Sequence, residues 1–202
     1  MARLIDKKEK RNDIARAAMK VFCEKGISST TIYDIAKSEE VAKGTIYLYF
    51  KNKEEIIFAI WDMMFELHLE KTTRLIKPTM SAKEKILLCF YFESFKENAD
   101  DIMRLYHYFV SAMLTDTTGL YTSYFEQFIQ QDYNIITTYL QEGINSGEFQ
   151  KMDIYLLTWS IIFTIRGIMI KSKISNLTFE ETQQFLTRQI SFLLDNFTRK
   201  VL

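Results

Sequence analysis

Residues 30–53 read TTIYDIAKSEEVAKGTIYLYFKNK, a pattern that predicts two short helices joined by a tight turn. A small residue is needed where two such helices cross closely, and Ala36 meets that need. Ile35, Val41 and Ile46 supply the apolar contacts before the turn, after it and on the inner side of the second helix. This arrangement is typical of the helix-turn-helix, whose second helix enters the major groove of DNA.

The outward face of the second helix, about Ala42–Tyr49, carries small, basic and aromatic side chains that suit a DNA surface. Gly44 allows the backbone to approach closely, and the N–H groups at the helix start favour a nearby phosphate. Thr31 and Lys53 stand at the starts of the flanking helices, where we expect them to hold phosphates on either side. The predicted DNA-binding residues are Thr31, Ala42, Lys43, Gly44, Thr45, Tyr47, Leu48, Tyr49 and Lys53.

The charge distribution agrees with a polyanion site near the start of the chain. Residues 1–53 carry 12 basic and 7 acidic side chains, a net charge of +5, whereas residues 54–202 carry 14 and 19, a net charge of −5. A helical hairpin with a solvated basic face is the alternative for either helix taken alone. The joint pattern of capping, helix crossing, glycine, aromatic residues and charge favours DNA binding.

The chain is predicted to be all-α, because Pro occurs once and Gly six times in 202 residues and no long run alternates with period two. We expect about nine helices, in an N-terminal three-helix DNA-binding domain (residues 1–53) and a larger helical ligand-binding and dimerisation domain (residues 54–202). Outside the helix-turn-helix, the predicted helices cover about 7–25, the stretch between the N-cap Asn52 and Pro78, and then 81–98, 100–114, 121–145, 152–173 and 178–200.

The helix-turn-helix segment resembles the TetR family of bacterial transcription regulators. The resembling run comprises Thr30-Thr31, Ile35-Ala36, Val41 to Tyr47 and Tyr49 to Glu54, and with the first helix it covers about the first 60 residues. The resemblance implies that the last two helices form a homodimer and that the intervening helices enclose an effector pocket. It also implies DNA contacts from Thr31, Lys43, Gly44, Thr45, Tyr47 and Lys53.

The sequence departs from the family pattern in the turn, where Glu39-Glu40 replace the usual Ala-Gly before the valine. Glu40 takes the place of the turn glycine, so it must adopt a positive φ at a cost of about 1 kcal/mol or the turn must differ. Two carboxylates near the DNA backbone are also expected to weaken nonspecific affinity. The reading surface itself is retained.

The second domain is rich in Met and large aromatic side chains, which build ordinary cores and also adaptable apolar pockets. Arg166 lies within the apolar run Ile161–Ile170 and needs a buried partner, for which an internal Asp or Glu is favoured over an anionic effector. The two histidines are more often structural than ligand-binding. The candidate pocket residues are Met64, His68, Phe92, Phe95, His107, Phe109, Met113, Phe125, Phe128, Trp159, Phe163 and Arg166.

The last two helices are apolar around more of their circumference than one core contact requires. In the final helix one stripe runs through Leu186 and Ile190, and Phe185 and Phe192 open a second. We expect the pair to pack against a second copy in an isologous four-helix interface, the alternative being a helix buried within a monomer. The candidate interface residues are Ile161, Ile165, Leu186, Ile190, Leu193 and Phe197.

These features favour a cytoplasmic, ligand-controlled transcription regulator that binds double-stranded DNA as a homodimer, with repression favoured over activation and release by a small hydrophobic effector. An enzyme is disfavoured because no metal-binding, nucleophile or phosphate-loop motif is present, and we expect no cofactor and no metal. No membrane partner is expected, because the N-terminus lacks a signal-peptide core and Arg166 interrupts the longest apolar run. The second hypothesis is a helical lipid- or small-molecule-binding protein without a DNA-binding role. This hypothesis does not explain why Gly44 and Tyr47 occur on the second helix of the motif.

Overall fold

The computed structural model describes residues 7–199, except for the side chains of residues 93 and 94. Within that part the chain forms nine α-helices and no strand, which confirms the all-α prediction. A 3₁₀ segment, Glu93–Asn98, lies between α5 and α6. The α-helices are α1 (Lys7–Lys25), α2 (Ile32–Ser38), α3 (Lys43–Tyr47), α4 (Lys53–Leu75), α5 (Ala82–Cys89), α6 (Ala99–Leu114), α7 (Leu120–Ser146), α8 (Ile154–Ile174) and α9 (Phe179–Asp195).

The described residues divide into two compact units, one that ends at residue 68 and one that begins at residue 69. The first turns of α4 belong to the first unit, and the predicted domain boundary after residue 53 stays a prediction. Ile56 and Ile60 on those turns are fully buried. The length of α4 was predicted from its cap and from Pro78, but the sequence did not show where along the helix one core ends.

In the first unit, α1 forms as predicted from Lys7 to Lys25 and buries the predicted inner face, including Ile14 and Phe22. Gly26 follows with a φ of +82°, a left-handed conformation that suits glycine, and its N–H donates to the Phe22 carbonyl at 2.9 Å. Lys8 Nζ lies 3.0 Å from the Glu66 carboxylate, which links α1 to α4. α1 is thus held at both ends, by its glycine cap and by α4.

The core of the second unit lies among α5, α7, α8 and α9. Phe149 is fully buried and packs on Gly143, where an added Cβ would stand 2.3 Å from the ring. Glu148 satisfies the start of α5, since its carboxylate accepts from the N–H groups of Ala82 at 2.7 Å and Lys83 at 3.0 Å. The loop between α7 and α8 is thereby fixed to α5.

One helix prediction in the second unit is wrong. A single helix was expected from about residue 81 to 98, but α5 ends at Cys89 and the chain turns before the 3₁₀ segment. The buried side chain of Gln183 on α9 supports the break by donating to the Phe90 carbonyl and accepting from the Phe92 N–H, both at 2.9 Å. The bonds that would continue the helix are thus replaced by bonds to a residue 91 to 93 positions away.

α8 is close to its predicted length, whereas α9 ends about five residues earlier than predicted, since residues 196–199 are not helical. α8 is long and apolar enough to span a membrane by those two measures alone, which core helices also satisfy, and its inner side packs in the core of this unit. α9 opens with the predicted cap, in which Thr178 accepts from the Glu181 N–H at 3.2 Å. It ends at Asp195, and its predicted last residue, Lys200, lies outside the described residues.

Candidate nucleic-acid interface and effector-binding residues

Thr31 caps the start of α2. Its hydroxyl accepts from the Asp34 N–H at 3.3 Å, while the Asp34 carboxylate accepts from the Thr31 N–H at 2.9 Å. Lys25, 2.5 Å from that carboxylate, and the Thr31 hydroxyl and N–H hold the pKa of Asp34 well below its ordinary value. The capped helix start leaves Thr31 exposed.

The turn between α2 and α3 has the predicted strain. Glu40 has a φ of +55°, in the left-handed region that usually requires glycine. The Val41 N–H then donates to the Ala36 carbonyl at 2.9 Å, which closes the turn over the small residue. Glu39 points towards α1, where its carboxylate lies 3.0 Å from Lys10 Nζ in a half-buried ion pair. One of the two unexpected carboxylates is therefore neutralised within the protein.

α3 presents the predicted outward face. It is shorter than expected, with Ala42 as its N-cap and Leu48 as its C-cap. Ile46 is fully buried, whereas Tyr47 and Leu48 are 50% and 75% exposed. Ala42, Lys43 and Gly44 are also exposed, and Thr45 and Tyr49 are half-buried. An atom added as Cβ at Gly44 would meet nothing within 4 Å, so the backbone there is open to a ligand.

Lys43 and Tyr47 of this surface form a cation–π contact, in which Lys43 Nζ lies 5.8 Å from the centre of the Tyr47 ring. Such a contact between a cation and an aromatic face is weak at an exposed site. It leaves the ammonium free to exchange the ring for a phosphate or a base edge. Together these residues form a small exposed surface of basic, aromatic and backbone groups.

Lys53 is partly committed within the protein. Its ammonium donates to the Ile27 carbonyl at 2.7 Å and to the Thr30 carbonyl at 3.3 Å, which leaves a third proton for a phosphate. The predicted phosphate contact of Lys53 stays a prediction. Sequence reasoning missed Arg11, which donates to the Tyr49 carbonyl at 2.7 Å just beyond α3. No local pattern could reveal that contact, because it joins residues 38 positions apart.

Arg166 meets an internal carboxylate, as expected from its place in an apolar run. It forms a salt bridge with Asp132 of α7, and both side chains are largely buried. Its guanidinium lies 5.4 Å from the Phe125 ring centre and 5.5 Å from that of Phe128. Burial raises the pKa of Asp132 and that of Tyr106 on α6, and Arg166 opposes both shifts. Three helices therefore converge on one buried cation.

Three other predicted pocket residues lie on α6, the helix of Tyr106. Phe109 of α6 packs at ring-centre distances of 5.5 to 5.9 Å against Tyr121, Tyr124 and Phe125 of α7. His107 Nε2 lies 3.0 Å from the Met169 carbonyl of α8, a structural contact of the kind expected for a histidine. Half-buried Met113 follows on α6. Phe109 and His107 therefore connect α6 to α7 and to α8, respectively.

The remaining pocket candidates belong to other parts of the chain, namely the break after α5, α4 and the first half of α8. Phe92 and Phe95 stack 6.2 Å apart at the break after α5, and Phe92 packs against the core of the second unit. Met64 and His68 are buried residues of α4 in the first unit. Trp159 contacts Tyr133 of α7 at 5.8 Å. The assignment of the whole set to one pocket stays a prediction.

Two groups of assignments on α8 and α9 need correction. Ile161, Ile165, Leu186 and Ile190 were assigned to a dimer interface but are 0% to 2% exposed in the protomer, so they cannot contact a second copy. Leu193 and Phe197 are half-buried against the same core. Phe163 was assigned to the pocket but is 65% exposed. The exposed apolar residues of these helices are Tyr155, Leu156, Phe163, Ile170, Ile174, Phe185 and Phe192.

Comparison with known proteins gives matches in both sequence and fold. The family model described as bacterial regulatory proteins, tetR family, matches residues 14–60, which contain all of α2 and α3. The fatty acid metabolism regulator protein of Bacillus subtilis strain 168 is 31% identical over 164 residues, which cover 79% of this chain and 81% of that protein. The sequence match therefore extends well beyond the helix-turn-helix.

Solved structures share the whole architecture. The transcriptional regulator FadR from Bacillus subtilis, in complex with stearoyl-CoA, has a TM-score of 0.75 and 25% identity, covering 92% of this chain and 98% of that chain. A TetR transcription regulator from Haloarcula marismortui has a TM-score of 0.81 at 17% identity, covering 95% of this chain and 99% of that chain. At 17% identity, the similarity to the Haloarcula marismortui regulator is evidence of a shared fold only.

Proposed function

Since this chain belongs to the TetR family of bacterial transcription regulators, we propose that it is a homodimeric, cytoplasmic repressor that a small hydrophobic effector releases from a palindromic operator. It is a DNA-binding regulator of transcription. The observation that carries its mode of binding is the exposed face of α3, where Lys43, Gly44, Tyr47 and Leu48 lie open above the buried Ile46.

The geometry of α3 supports base contacts by some of the predicted DNA-binding residues and phosphate contacts by others. Tyr47 and Lys43 are long enough to reach base edges in the major groove, and Gly44 lets the helix backbone approach the duplex. Thr31 at the capped start of α2 and Lys53 at the start of α4 suit phosphates on either side. Two copies of α3 in a dimer would read successive major grooves about 34 Å apart.

The test is a titration of duplex DNA from upstream of the gene, followed by fluorescence anisotropy at several salt concentrations. We expect a specific complex whose affinity falls steeply with salt, because each phosphate contact releases counterions. Lys43→Ala should lower the salt slope by about 2 and weaken binding, because the homodimer loses one cation at each half-site. Lys173→Ala, which removes an equal charge from the end of α8, is the matched control and should change neither quantity.

The second hypothesis, a lipid- or small-molecule-binding protein without a DNA-binding role, would give the opposite result. Wild-type protein would then form no salt-sensitive complex with any upstream duplex, and both lysine variants would behave alike. The curated relative and the solved relatives described above are regulators, which supports regulation rather than catalysis.

The exposed apolar face of α8 and α9 supports the homodimer. Five apolar side chains of α8 and two of α9 are at least 36% exposed. An apolar face of this extent on a protein of this size favours burial against a partner. A two-fold axis would bring the same face of two copies together in an isologous interface. Phe163 and Phe192, at 65% and 64% exposure, are the proposed centre of that contact.

The effector is proposed to be a fatty-acyl compound. The relative at 31% identity is named a fatty acid metabolism regulator, and a solved relative binds stearoyl-CoA. In this chain the junction of α6, α7 and α8 offers aromatic side chains around one polar centre, Arg166. An apolar pocket with a few polar groups is typical of such ligands. Release would follow from a higher effector affinity of the DNA-free form.

A further inference from the structure

Arg166 keeps one buried hydrogen-bond donor unused. Its Nη2 pairs with Asp132 and its side chain also hydrogen-bonds Tyr106, but its Nε–H is buried and has no hydrogen-bond partner among the described residues. A buried donor without an acceptor costs free energy that a well-placed oxygen atom would recover. This donor belongs to a guanidinium that contacts Tyr106 of α6 and Asp132 of α7 and lies near the rings of Phe125 and Phe128.

The charge at this point is already balanced. Asp132 supplies one negative charge in direct contact with the single positive charge of Arg166. A ligand carboxylate would add a second negative charge beside Asp132 in a poorly hydrated site, where like charges repel strongly. A carbonyl oxygen accepts the same hydrogen bond without adding charge.

We propose that Asp132 is a specificity determinant that reserves Arg166 for a neutral acceptor, the carbonyl oxygen of an acyl ester, thioester or amide, and excludes the free carboxylate. The inference rests on the proposed function only in taking the ligand to be the effector. Arg166 Nε–H donates to the ligand carbonyl, and the aromatic side chains of α6 and α7 contact the acyl chain. Asp132 acts through Arg166 and needs no ligand contact of its own.

Two other buried polar atoms of α8, Thr158 Oγ1 and Trp159 Nε1, also have no hydrogen-bond partner among the described residues. One carbonyl group cannot serve both Trp159 and Arg166, because seven residues of helix separate them by roughly 10 Å. Trp159 lies against Tyr155 and Phe163, which are both exposed. It lies at the edge of the core, beside Tyr133, and only Arg166 is assigned to this subsite.

The test compares two probes that differ in charge at the head group, N-methyldecanamide and decanoate, by calorimetry with the full chain at pH 8, where decanoate is ionised. Wild-type protein should bind the amide at least about tenfold more tightly than the carboxylate. Asp132→Asn keeps the size of the side chain and a hydrogen-bond acceptor but removes its charge. In that variant decanoate affinity should rise at least about tenfold, and the preference should reverse.

Glu142→Gln is the matched control. It removes a carboxylate from the same helix, where Glu142 pairs with Lys85 rather than with Arg166. It should leave the preference unchanged. Operator binding by each variant, measured without probes, reports whether the chain is folded and tests the proposed regulator separately.

The inference is overturned if wild-type protein binds decanoate as tightly as the amide, if neither probe binds, or if Asp132→Asn leaves the preference as it was. Each of these results can occur while the salt-sensitive operator complex persists, which would leave the proposed DNA-binding function intact. Loss of the operator complex in the wild type would instead contradict the proposed function.

Discussion

Glu40 shows how a single residue can be predicted to be strained from sequence alone. It occupies the place of a turn glycine and has a φ of +55°. Glu40→Gly should stabilise the chain by about 0.5–1 kcal/mol, because glycine adopts this conformation without the clash of a Cβ atom. Urea unfolding followed by circular dichroism measures the change. The ion pair between Glu39 and Lys10 is untouched by the substitution.

The chain carries its own control for this substitution. Asn176 also has a positive φ, +48°, but asparagine tolerates the left-handed region better than glutamate does. Asn176→Gly should therefore gain less than Glu40→Gly. Equal gains, or a loss at Glu40, would mean that the turn is stabilised by something other than its backbone conformation.

Residue-scale reasoning was less able to predict which polar groups would pair. The need of Arg166 for a carboxylate followed from its apolar neighbours, but its partner Asp132 is 34 positions away. Arg11 and Lys53 likewise reach backbone carbonyls through the fold. The hydrogen-bond partner of a long flexible side chain is not encoded in the periodicity of the sequence. Only the existence of a partner for Arg166 could therefore be predicted, not its identity.

The break after α5 shows the corresponding limit for whole elements. The sequence from residue 81 to 98 is compatible with one helix, and no proline or glycine interrupts it. The helix nevertheless ends at Cys89, because Gln183 of α9 satisfies the Phe90 carbonyl and the Phe92 N–H. A tertiary contact thus overrides local propensity.

Gln183→Leu should consequently destabilise the second unit by about 2–3 kcal/mol, since two backbone groups at the break lose their partners. The matched control is Gln184→Leu, which alters an exposed neighbour on the same helix and should change stability by less than about 0.5 kcal/mol. Hydrogen exchange of the Phe92 amide is the direct measurement. Unchanged protection of that amide in Gln183→Leu would show that the side chain is dispensable for the break.

At the scale of the whole molecule, helix number and most helix bounds followed from apolar periodicity and capping residues, and the exposed face of α3 followed from its motif. The sequence did not predict which side of α8 and α9 would face the core. Both helices carry apolar side chains on two sides, so periodicity alone cannot decide which side enters the core. Ile161 and Leu186 took the inner positions, while Phe163 and Phe192 were left outside.

The outer side makes the dimer testable independently of the effector. Phe192→Glu should convert the protein to a monomer in sedimentation at micromolar concentration, because a charge buried in an apolar interface is costly. Leu114→Glu is the matched control, since Leu114 is 78% exposed at the end of α6 and lies on neither proposed interface helix. That variant should remain dimeric.

Operator affinity of Phe192→Glu should fall by about 100-fold or more, because a monomer engages only one half-site of a palindrome. A dimer that survives Phe192→Glu and Phe163→Glu alike would assign the interface to another surface.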